Sequence, residues 1–212
     1  MTIGGEQLRL EDTASTNDAA FDLAATGCAD GAIVVASGQT AGRGRQGRQW
    51  FSLPGGSLTF SVVLRPRRNR QMWPELPLVT AGSVAEAVRG AGVDDVALKA
   101  PNDVMAGGAK IAGVLLENRI PGTGPVVVAG IGLNVNIGRD QFPEEMREAA
   151  TSLEILLGGR RDSEEMLAQI CASLDVLYRI WEEEGLAPVR SRLEGKGILF
   201  RGFADGTPHV QE

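Results

Sequence analysis

Residues 110–137 read KIAGVLLENRIPGTGPVVVAGIGLNVNI and contain two strongly strand-like runs. The first run covers residues 110–118 and the second covers residues 125–137. Continuous apolar runs of this kind, rich in β-branched side chains, are typical of buried strands. The link Ala106-Gly107-Gly108-Ala109 precedes them and predicts a hairpin, because glycine accepts the positive φ angles of a tight turn.

The residues around this stretch predict further strands and two helices. Short apolar runs at residues 31–37, 57–64 and 93–99 are interpreted as strands. The sequence Ser15-Thr16-Asn17-Asp18 predicts the start of a helix with a hydroxyl or amide cap. Residues 76–91 are rich in Ala, Val and Leu and predict a buried helix that ends near Gly90.

A last clear helix is predicted from Ser163 onward, because its apolar residues share one helical face. These residues are Met166, Ile170, Leu174, Leu177 and Trp181. Strands dominate the first part of the chain, and they show no regular alternation with helices. The pattern therefore predicts an α+β domain with a mixed or antiparallel β-sheet flanked by helices.

Composition excludes several classes of protein. The 212 residues carry 21 basic and 27 acidic side chains, and a net charge of −6 is unfavourable for general nucleic-acid binding. The sequence has no membrane-spanning run and no signal pattern, so we expect a cytoplasmic protein without a membrane partner. Cys28 and Cys171 fit reduced core residues. The only histidine is His209, which argues against a histidine-based triad or metal site.

The positive charge is concentrated in one segment. Residues 31–74 contain no Asp or Glu, although the chain as a whole is acidic. Such a segment predicts a focused site for an anion. We expect Arg67, Arg68 and Arg70 to form only a solvated basic loop. The arginines of the segment are Arg43, Arg45, Arg48, Arg65, Arg67, Arg68 and Arg70.

Residues 42–50, GRGRQGRQW, form what we call the arginine loop. The spacing of its glycines matches a dinucleotide fingerprint, but a turn and a strand follow where that motif needs a helix. The lysine and hydroxyl residue of a phosphate loop are missing too. Arg43 and Arg45 each offer a fork that pairs with carboxylate or phosphate oxygens. Anion binding and a plain solvated loop both remain open from these residues alone.

Lysine is rare in this chain, and Lys99 stands at the end of a predicted strand. The turn Ala100-Pro101-Asn102-Asp103 follows it directly. A cation beside a carboxylate could hold a phosphate and its magnesium ion. An ordinary Pro-Asn-Asp turn with a chance lysine is the alternative.

Five blocks of sequence together resemble the catalytic domain of biotin protein ligases. Ser15-Thr16-Asn17 is similar to the family's STN element, and residues 39–50 are similar to its Q-x-A-G-R-G-R-x-G-R-x-W loop. Residues 99–103 resemble K-W-P-N-D, and residues 110–117 resemble K-[IL]-A-G-[IV]-L-x-E. Residues 130–136 are similar to G-[IA]-G-[IL]-N-x-N, and the five blocks occur in the family's order.

The resemblance implies an ATP-dependent ligase. Biotin and ATP would give biotinyl-5′-AMP, and a lysine of a biotin carboxyl carrier protein would then take the biotinyl group. Lys99, Arg43 and Arg45 would be the catalytic cations. The residues implied to bind biotin are Ser15, Thr16, Asn17, Gln39, Arg43, Gly44, Arg45, Lys99 and Gly113.

The resemblance also implies a nucleotide site beside the biotin site. Asp103 would place a magnesium ion, and this is the implied metal ligand. A plain core role for Trp50 stays open beside adenine stacking. The residues implied to bind ATP are Arg45, Arg48, Trp50, Asn102, Lys110 and Asn134.

Three departures from the family pattern carry expectations. Ala100 replaces the family's usual tryptophan, so we expect local loosening without loss of activity. The catalytic blocks begin near residue 12, so we expect no N-terminal DNA-binding domain and no repressor role. The family's C-terminal SH3-like barrel is expected to be absent or reduced. Residues 1–190 would form the catalytic domain, and residues 191–212 a remnant with at most a single hairpin.

Other functions remain as alternatives at this point. A lipoate or octanoate transferase resembles this family in fold, but the arginine loop disfavours it. A non-catalytic biotin-binding module would not need Arg43, Arg45 and Lys99, whose charges serve a phosphate. Pairing of edge strands would allow a homodimer.

Overall fold

The computed structural model describes residues 2–120 and 124–203. Its described residues form an α+β fold in which helices cover both faces of one mixed sheet, and this confirms the predicted fold class. The strands are β1 (Gln7–Thr13), β2 (Ile33–Gln39), β3 (Ser57–Leu64), β4 (Val96–Lys99), β5 (Asp103–Ala106), β6 (Ala109–Arg119), β7 (Val126–Asn134) and β8 (Leu199–Arg201). The α-helices are α1 (Thr16–Ala25), α2 (Leu76–Gly90), α3 (Leu153–Leu157), α4 (Ser163–Glu184) and α5 (Leu186–Gly195).

Strands β6 and β7, which the sequence predicted within the stretch 110–137, form the centre of this sheet. The strand order is β1-β2-β3-β7-β6-β5-β4-β8, with β1/β2 and β4/β8 parallel and the other neighbours antiparallel. All 9 residues of β7 are buried between β3 and β6. Burial on both faces explains why this strand is continuously apolar.

The predicted hairpin between β5 and β6 is confirmed. Ala106 pairs with Ala109, and the two residues between them have φ angles of 56° and 82°. Gly107 and Gly108 adopt these angles without the steric cost that a Cβ atom would bring. The hairpin places Asp103, at the start of β5, opposite Gly113 of β6.

The two sheet faces bury different helices. Alternate residues of the inner strands, such as Val34, Val63 and Val128, pack with Phe21 of α1. Residues of the opposite parity pack with α2 and α4 in a larger core. The predicted stripe of α4 is confirmed by burial of every member: Met166, Ile170, Leu174, Leu177 and Trp181.

Arg68 corrects the expectation of a merely solvated basic loop. Its Nη1 donates to the backbone oxygens of Trp181 and Glu182 at 2.8 and 3.2 Å, so it binds the carbonyl end of α4. A cation is favourable there because the last carbonyls of a helix lack partners. Arg67 is 85% exposed, as expected of a solvated residue, but its Nε also lies 3.5 Å from Glu182 Oε2. Arg70 lies with its guanidinium carbon 5.5 Å from the ring centroid of Trp73.

The C-terminal part of the described chain continues the same fold. The predicted boundary at residue 190 lies inside α5, and Val189 and Leu193 on its two sides pack in the same core. Beyond α5, strand β8 joins the main sheet beside β4. The rest of the predicted hairpin, residues 204–212, lies outside the described residues. Among the described helices, none combines the length and apolar character needed to cross a bilayer.

A buried carboxylate ties three helices together. Glu86 of α2 accepts a hydrogen bond from the Ser173 hydroxyl of α4 at 2.7 Å. Lys196 Nζ lies 3.2 Å from this same Glu86 oxygen, and the other carboxylate oxygen accepts from Arg192 Nε of α5 at 2.9 Å. Because Glu86 is only 8% exposed, its charge depends on these partners for compensation.

We therefore predict that Glu86→Gln lowers the free energy of unfolding by about 1–2 kcal/mol, since a neutral amide cannot compensate the two cations. Urea denaturation followed by circular dichroism measures this change. Glu164→Gln serves as the control, because its pair with Arg9 lies on the surface with both side chains at least half exposed. A loss no larger in Glu86→Gln than in the control would contradict the role of the buried carboxylate.

Candidate active site

A cavity of about 470 Å³ opens over the sheet beside the arginine loop. Its wall is built from the start of α1, the arginine loop, the turn 99–103 and the centres of β6 and β7. These segments are far apart in sequence, and all five motif blocks contribute residues to the lining. All the predicted site residues except Asn134 line the cavity.

The arginine loop is a short hairpin rather than an extended chain. Gly44 N–H donates to the Arg48 oxygen at 2.7 Å, and Trp50 N–H donates to the Gly42 oxygen at 3.0 Å. At its tip, Gln46 has a φ of 58°, an uncommon angle for a residue with a side chain. The hairpin projects its arginines along the cavity rim.

The polar end of the cavity is formed by the first residues of α1. Gln39 Oε1 accepts hydrogen bonds from the backbone N–H and the hydroxyl of Thr16, at 2.8 and 3.1 Å. Gln39, at the end of β2, therefore accepts a hydrogen bond from a backbone N–H group at the start of α1. The predicted side-chain cap is thus not formed by Ser15, which occupies the N-cap position without a side-chain cap hydrogen bond. Ser15 is instead one of the residues that line the cavity.

Asn17 is held from three sides beneath this end. Its amide nitrogen donates to Glu117 Oε2 at 2.7 Å and to the Leu115 oxygen at 3.3 Å. Its oxygen accepts from the buried Ser61 hydroxyl at 2.7 Å. A Cβ atom on Gly130 would collide with the Asn17 carboxamide, so this glycine makes room for it. Asn17 thus orients the polar end, and its supporting residues Ser61 and Gly130 were missed by sequence reasoning.

Trp50 lies on a flat part of the sheet created by two paired glycines. Gly113 of β6 is opposite Gly132 of β7, and a Cβ atom on Gly132 would overlap the indole ring. A Cβ on Gly113 would lie 3.0 Å from the Trp50 Cζ3 atom. The Trp50 Nε1 donor is buried and has no hydrogen-bond partner among the described residues. We call this flat surface beneath Trp50 the glycine floor. Its signal in the sequence is the repeated Gly-x-Gly of residues 130–132.

Positive charge dominates the cavity wall. The cations on it are Arg43, Arg45, Arg48, Lys99 and Lys110, whereas Asp103 is the one carboxylate among the described lining residues. Lys110 Nζ binds Asp103 Oδ1 at 2.6 Å, so these two charges compensate each other. Arg45, Arg48 and Lys99 form no ion pair with another described residue. These three charges are available to an anionic ligand.

Arg43 differs from the other cations of the loop. Its two terminal nitrogens lie 2.7 and 3.0 Å from the two carboxylate oxygens of Asp18, and Nη2 is 3.3 Å from Glu117 Oε2. The Arg43 guanidinium holds the pKa of the Asp18 carboxyl below its usual range. Its guanidinium is therefore engaged by the protein, which the prediction of a direct contact with biotin did not anticipate.

Two predicted nucleotide contacts have different placements. Asn102 lines the cavity, and its amide donates to the Val114 oxygen at 2.6 Å, which docks the turn 99–103 onto β6. Asn134 is not a lining residue: it is only 4% exposed, and its amide donates to the Thr151 oxygen at 3.0 Å. Ala100 lines the cavity and donates its backbone N–H to the Arg201 oxygen of β8 at 2.9 Å.

Comparison with known protein families identifies the class to which this fold and site belong. Residues 10–136 match the biotin/lipoate A/B protein ligase family, and the chain belongs to this family. The match includes all five motif blocks and every predicted site residue.

Particular members of the family are similar along most of the chain. A bifunctional ligase/repressor BirA of Bacillus spizizenii is 34% identical over 95% of this chain and 61% of its own length. A biotin–[acetyl-CoA-carboxylase] ligase of Paracoccus denitrificans is 34% identical over 86% of this chain and 77% of its own length. The biotin protein ligase of Aquifex aeolicus in complex with biotin and ATP superposes with a TM-score of 0.78 at 32% identity, over 91% of this chain and 78% of that one. This chain therefore spans about three fifths of the length of the BirA relative.

The glycine floor generates a prediction. Gly132→Ala places a methyl group where the Trp50 ring lies, so we expect a loss of about 1–3 kcal/mol in the free energy of unfolding from overpacking, with displacement of the ring. Thermal denaturation and the indole N–H signal of Trp50 in NMR spectra measure the two effects. Gly90→Ala is the matched control, because a Cβ atom there meets nothing within 4 Å. An unshifted Trp50 signal in Gly132→Ala would contradict this packing.

Proposed function

We propose that this chain condenses biotin with ATP to biotinyl-5′-AMP and pyrophosphate, and then passes the biotinyl group to a lysine of a biotin carboxyl carrier domain. The observation that carries the proposal is the set of three unpaired cations, Arg45, Arg48 and Lys99, beside an uncharged polar pocket. A bicyclic ligand with a neutral polar ring and a carboxylate tail matches this division of the cavity. The similarity to a ligase solved with biotin and ATP supports the same assignment.

The polar end suits the ureido ring of biotin. That ring offers two N–H donors and one carbonyl acceptor, and the pocket presents the Ser15 hydroxyl and the Gln39 amide. The Gln39 oxygen is used by Thr16, which leaves its nitrogen to donate to a carbonyl oxygen. Asn17 keeps this wall in place through its bonds to β3 and β6. The dithiolane of lipoate has no group that would use these polar atoms.

The cations act on the first chemical step. The biotin carboxylate must attack the α-phosphorus of ATP, and two anions repel each other at that distance. Lys99 and Arg45 neutralise the carboxylate and the α-phosphate oxygens, while Arg48 meets the other phosphates and pyrophosphate leaves. Fixed charges of this kind stabilise the transition state because they need no reorganisation during the reaction.

The nucleotide would extend from these cations toward Trp50 and Lys110. Trp50 supplies an aromatic surface, and its unpartnered Nε1 offers a donor at this wall. Magnesium would enter as the complex with ATP, held mainly by phosphate oxygens. Asp103 has one oxygen bound by Lys110, so its second oxygen is the group that could face the metal or its water. The second step is the attack of the carrier lysine amine on the acyl carbon, which forms the amide and releases AMP and a proton.

The remaining predictions about cellular context are part of this proposal. The ligase relatives are named for acetyl-CoA carboxylase, and this supports a carboxylase carrier domain as the proposed partner. A cytoplasmic location and a homodimer built on edge strands stay predictions.

The direct test is to mix the protein with biotin, ATP and magnesium and to look for bound biotinyl-5′-AMP by mass spectrometry. Lipoate replaces biotin in a parallel sample. We expect the adenylate with biotin only. An adenylate of lipoate, or none with either acid, would overturn the proposed substrate.

Lys99 is predicted to be needed for the first step but not for the fold. Lys99→Ala should reduce biotin-dependent pyrophosphate release roughly a hundredfold or more, because an unscreened repulsion remains between the two anions. Its side chain is exposed and unpaired, so the melting temperature should change little. Wild-type rates of pyrophosphate release in this variant would refute the assigned role.

The arginine loop should respond to ligand. Its glycines and like charges predict that residues 42–49 are mobile without substrate and become ordered when anions bind between the arginines. Trypsin cleavage after Arg45 and Arg48 should slow in the presence of biotin and ATP. Equal cleavage rates with and without the two ligands would count against ligand-induced ordering.

A further inference from the structure

The ion pairs that Arg43 forms with Asp18 and Glu117 have no role in the proposed chemistry. Arg43 belongs to the arginine loop, yet both of its terminal nitrogens are bound by carboxylates of the protein. The pair with Asp18 is bidentate, a geometry that fixes orientation as well as distance. Asp18 lies in the first turn of α1, 25 positions from Arg43, and Glu117 lies on β6, 74 positions away. The two carboxylates thus fasten the loop to two separate walls of the cavity.

Glu117 also connects the loop with the polar end. Its Oε2 atom accepts from Asn17 Nδ2 at 2.7 Å and lies 3.3 Å from Arg43 Nη2. One carboxylate oxygen therefore contacts both the residue that orients the polar end and the base of the arginine loop. A movement of either Asn17 or Arg43 would therefore shift Glu117 and alter its contact with the other residue.

Arg119, which lies outside the loop, is the second arginine beside these two carboxylates. Its Nη2 is 3.1 Å from Asp18 Oδ1, and its guanidinium carbon lies 4.1 Å from the ring centroid of Phe21. Asp18 and Glu117 oppose Arg43 and Arg119, so the group has no net charge. Arg119 holds Asp18 in place on α1 independently of the loop.

We propose that Asp18 and Glu117 are positioning residues that hold the arginine loop closed over biotin through Arg43. Naming biotin rests on the proposed function. Gly44 alone separates Arg43 from Arg45, so the seat of Arg43 determines where Arg45 enters the cavity. Without either carboxylate the loop would spend more time open. Biotin would then have to supply the free energy of closure, while the cations at the reacting atoms would be unchanged once it is bound.

The test uses Asp18→Asn and Glu117→Gln in the full chain, each of which keeps the shape of the side chain and removes its charge. Both side chains are about one-third to two-fifths exposed, so the variants should fold. We expect KM for biotin in pyrophosphate release to rise about three- to tenfold, the range for a charge-assisted pair at a partly exposed site, with kcat within about twofold of wild type. The two changes combined should raise KM by less than the product of the single effects, since both act on Arg43.

A second measurement works without substrate. Trypsin should cut the arginine loop several times faster in each ligand-free variant than in the wild type. Glu164→Gln is the control for both measurements, because it removes an equally short arginine–carboxylate pair whose residues do not line the cavity, and it should change neither.

An unchanged KM for biotin in both variants overturns the proposal, and so does a fall in kcat at constant KM, which would place the carboxylates at the reacting atoms. If the wild type itself makes no biotinyl-5′-AMP, the proposed function fails, and the cleavage rates decide alone. Faster cleavage in the two variants then supports the closing role of the carboxylates, and equal cleavage overturns it.

Discussion

Under the proposed function, repulsion between two anions is the constraint on which this site depends. A carboxylate and a triphosphate do not approach each other in water without compensating charge, and this chain is itself acidic, with a net charge of −6. The fold meets the constraint by collecting five cations on one cavity wall and pairing only some of them with its own carboxylates. Arg45, Arg48 and Lys99 are thereby left to a ligand. The absence of acidic residues from 31 to 74 keeps competing carboxylates of that segment away from the arginine loop.

The sheet supports this cluster by what it lacks at three positions. Gly113, Gly130 and Gly132 leave space above the strands β6 and β7, and Trp50 and Asn17 fill it. A side chain at these positions would push the arginine loop or the start of α1 away from the cavity. The apolar character of β7 and its burial on both faces make the floor rigid. Charge and packing are therefore linked, because three of the five cations lie on a loop whose last residue, Trp50, packs on the glycines.

Regular structure was largely predictable from the sequence because its signals are local. The stripe of α4, the run 57–64 and the double glycine of the hairpin each report on neighbours a few residues away. The cavity-lining residues were predictable through the motif blocks, whose order carries the family resemblance. The boundary at residue 190 was less successful, since α5 continues through it and packs in the main core.

What escaped the sequence depends on contacts between distant segments. The N-terminal cap of α1 is supplied by Gln39 rather than by Ser15, a choice that only the pairing of β1 with β2 explains. Arg68 resembled a solvated charge because the two carbonyls it binds are 113 and 114 positions away. Asn134 sits in a motif block, yet its amide is spent on Thr151 inside the protein. Glu117 ends a motif block and Asp18 lies at the predicted helix start, but no local pattern indicates that both bind Arg43, which lies on a different element.

The most direct measurement is a crystal structure of this chain with biotin and a non-hydrolysable ATP analogue bound. We predict that Lys99 Nζ and the guanidinium of Arg45 lie within hydrogen-bond distance of the biotin carboxylate and the α-phosphate, with Arg43 still paired with Asp18. Both ligands bound while Lys99 and Arg45 point into solvent would contradict it.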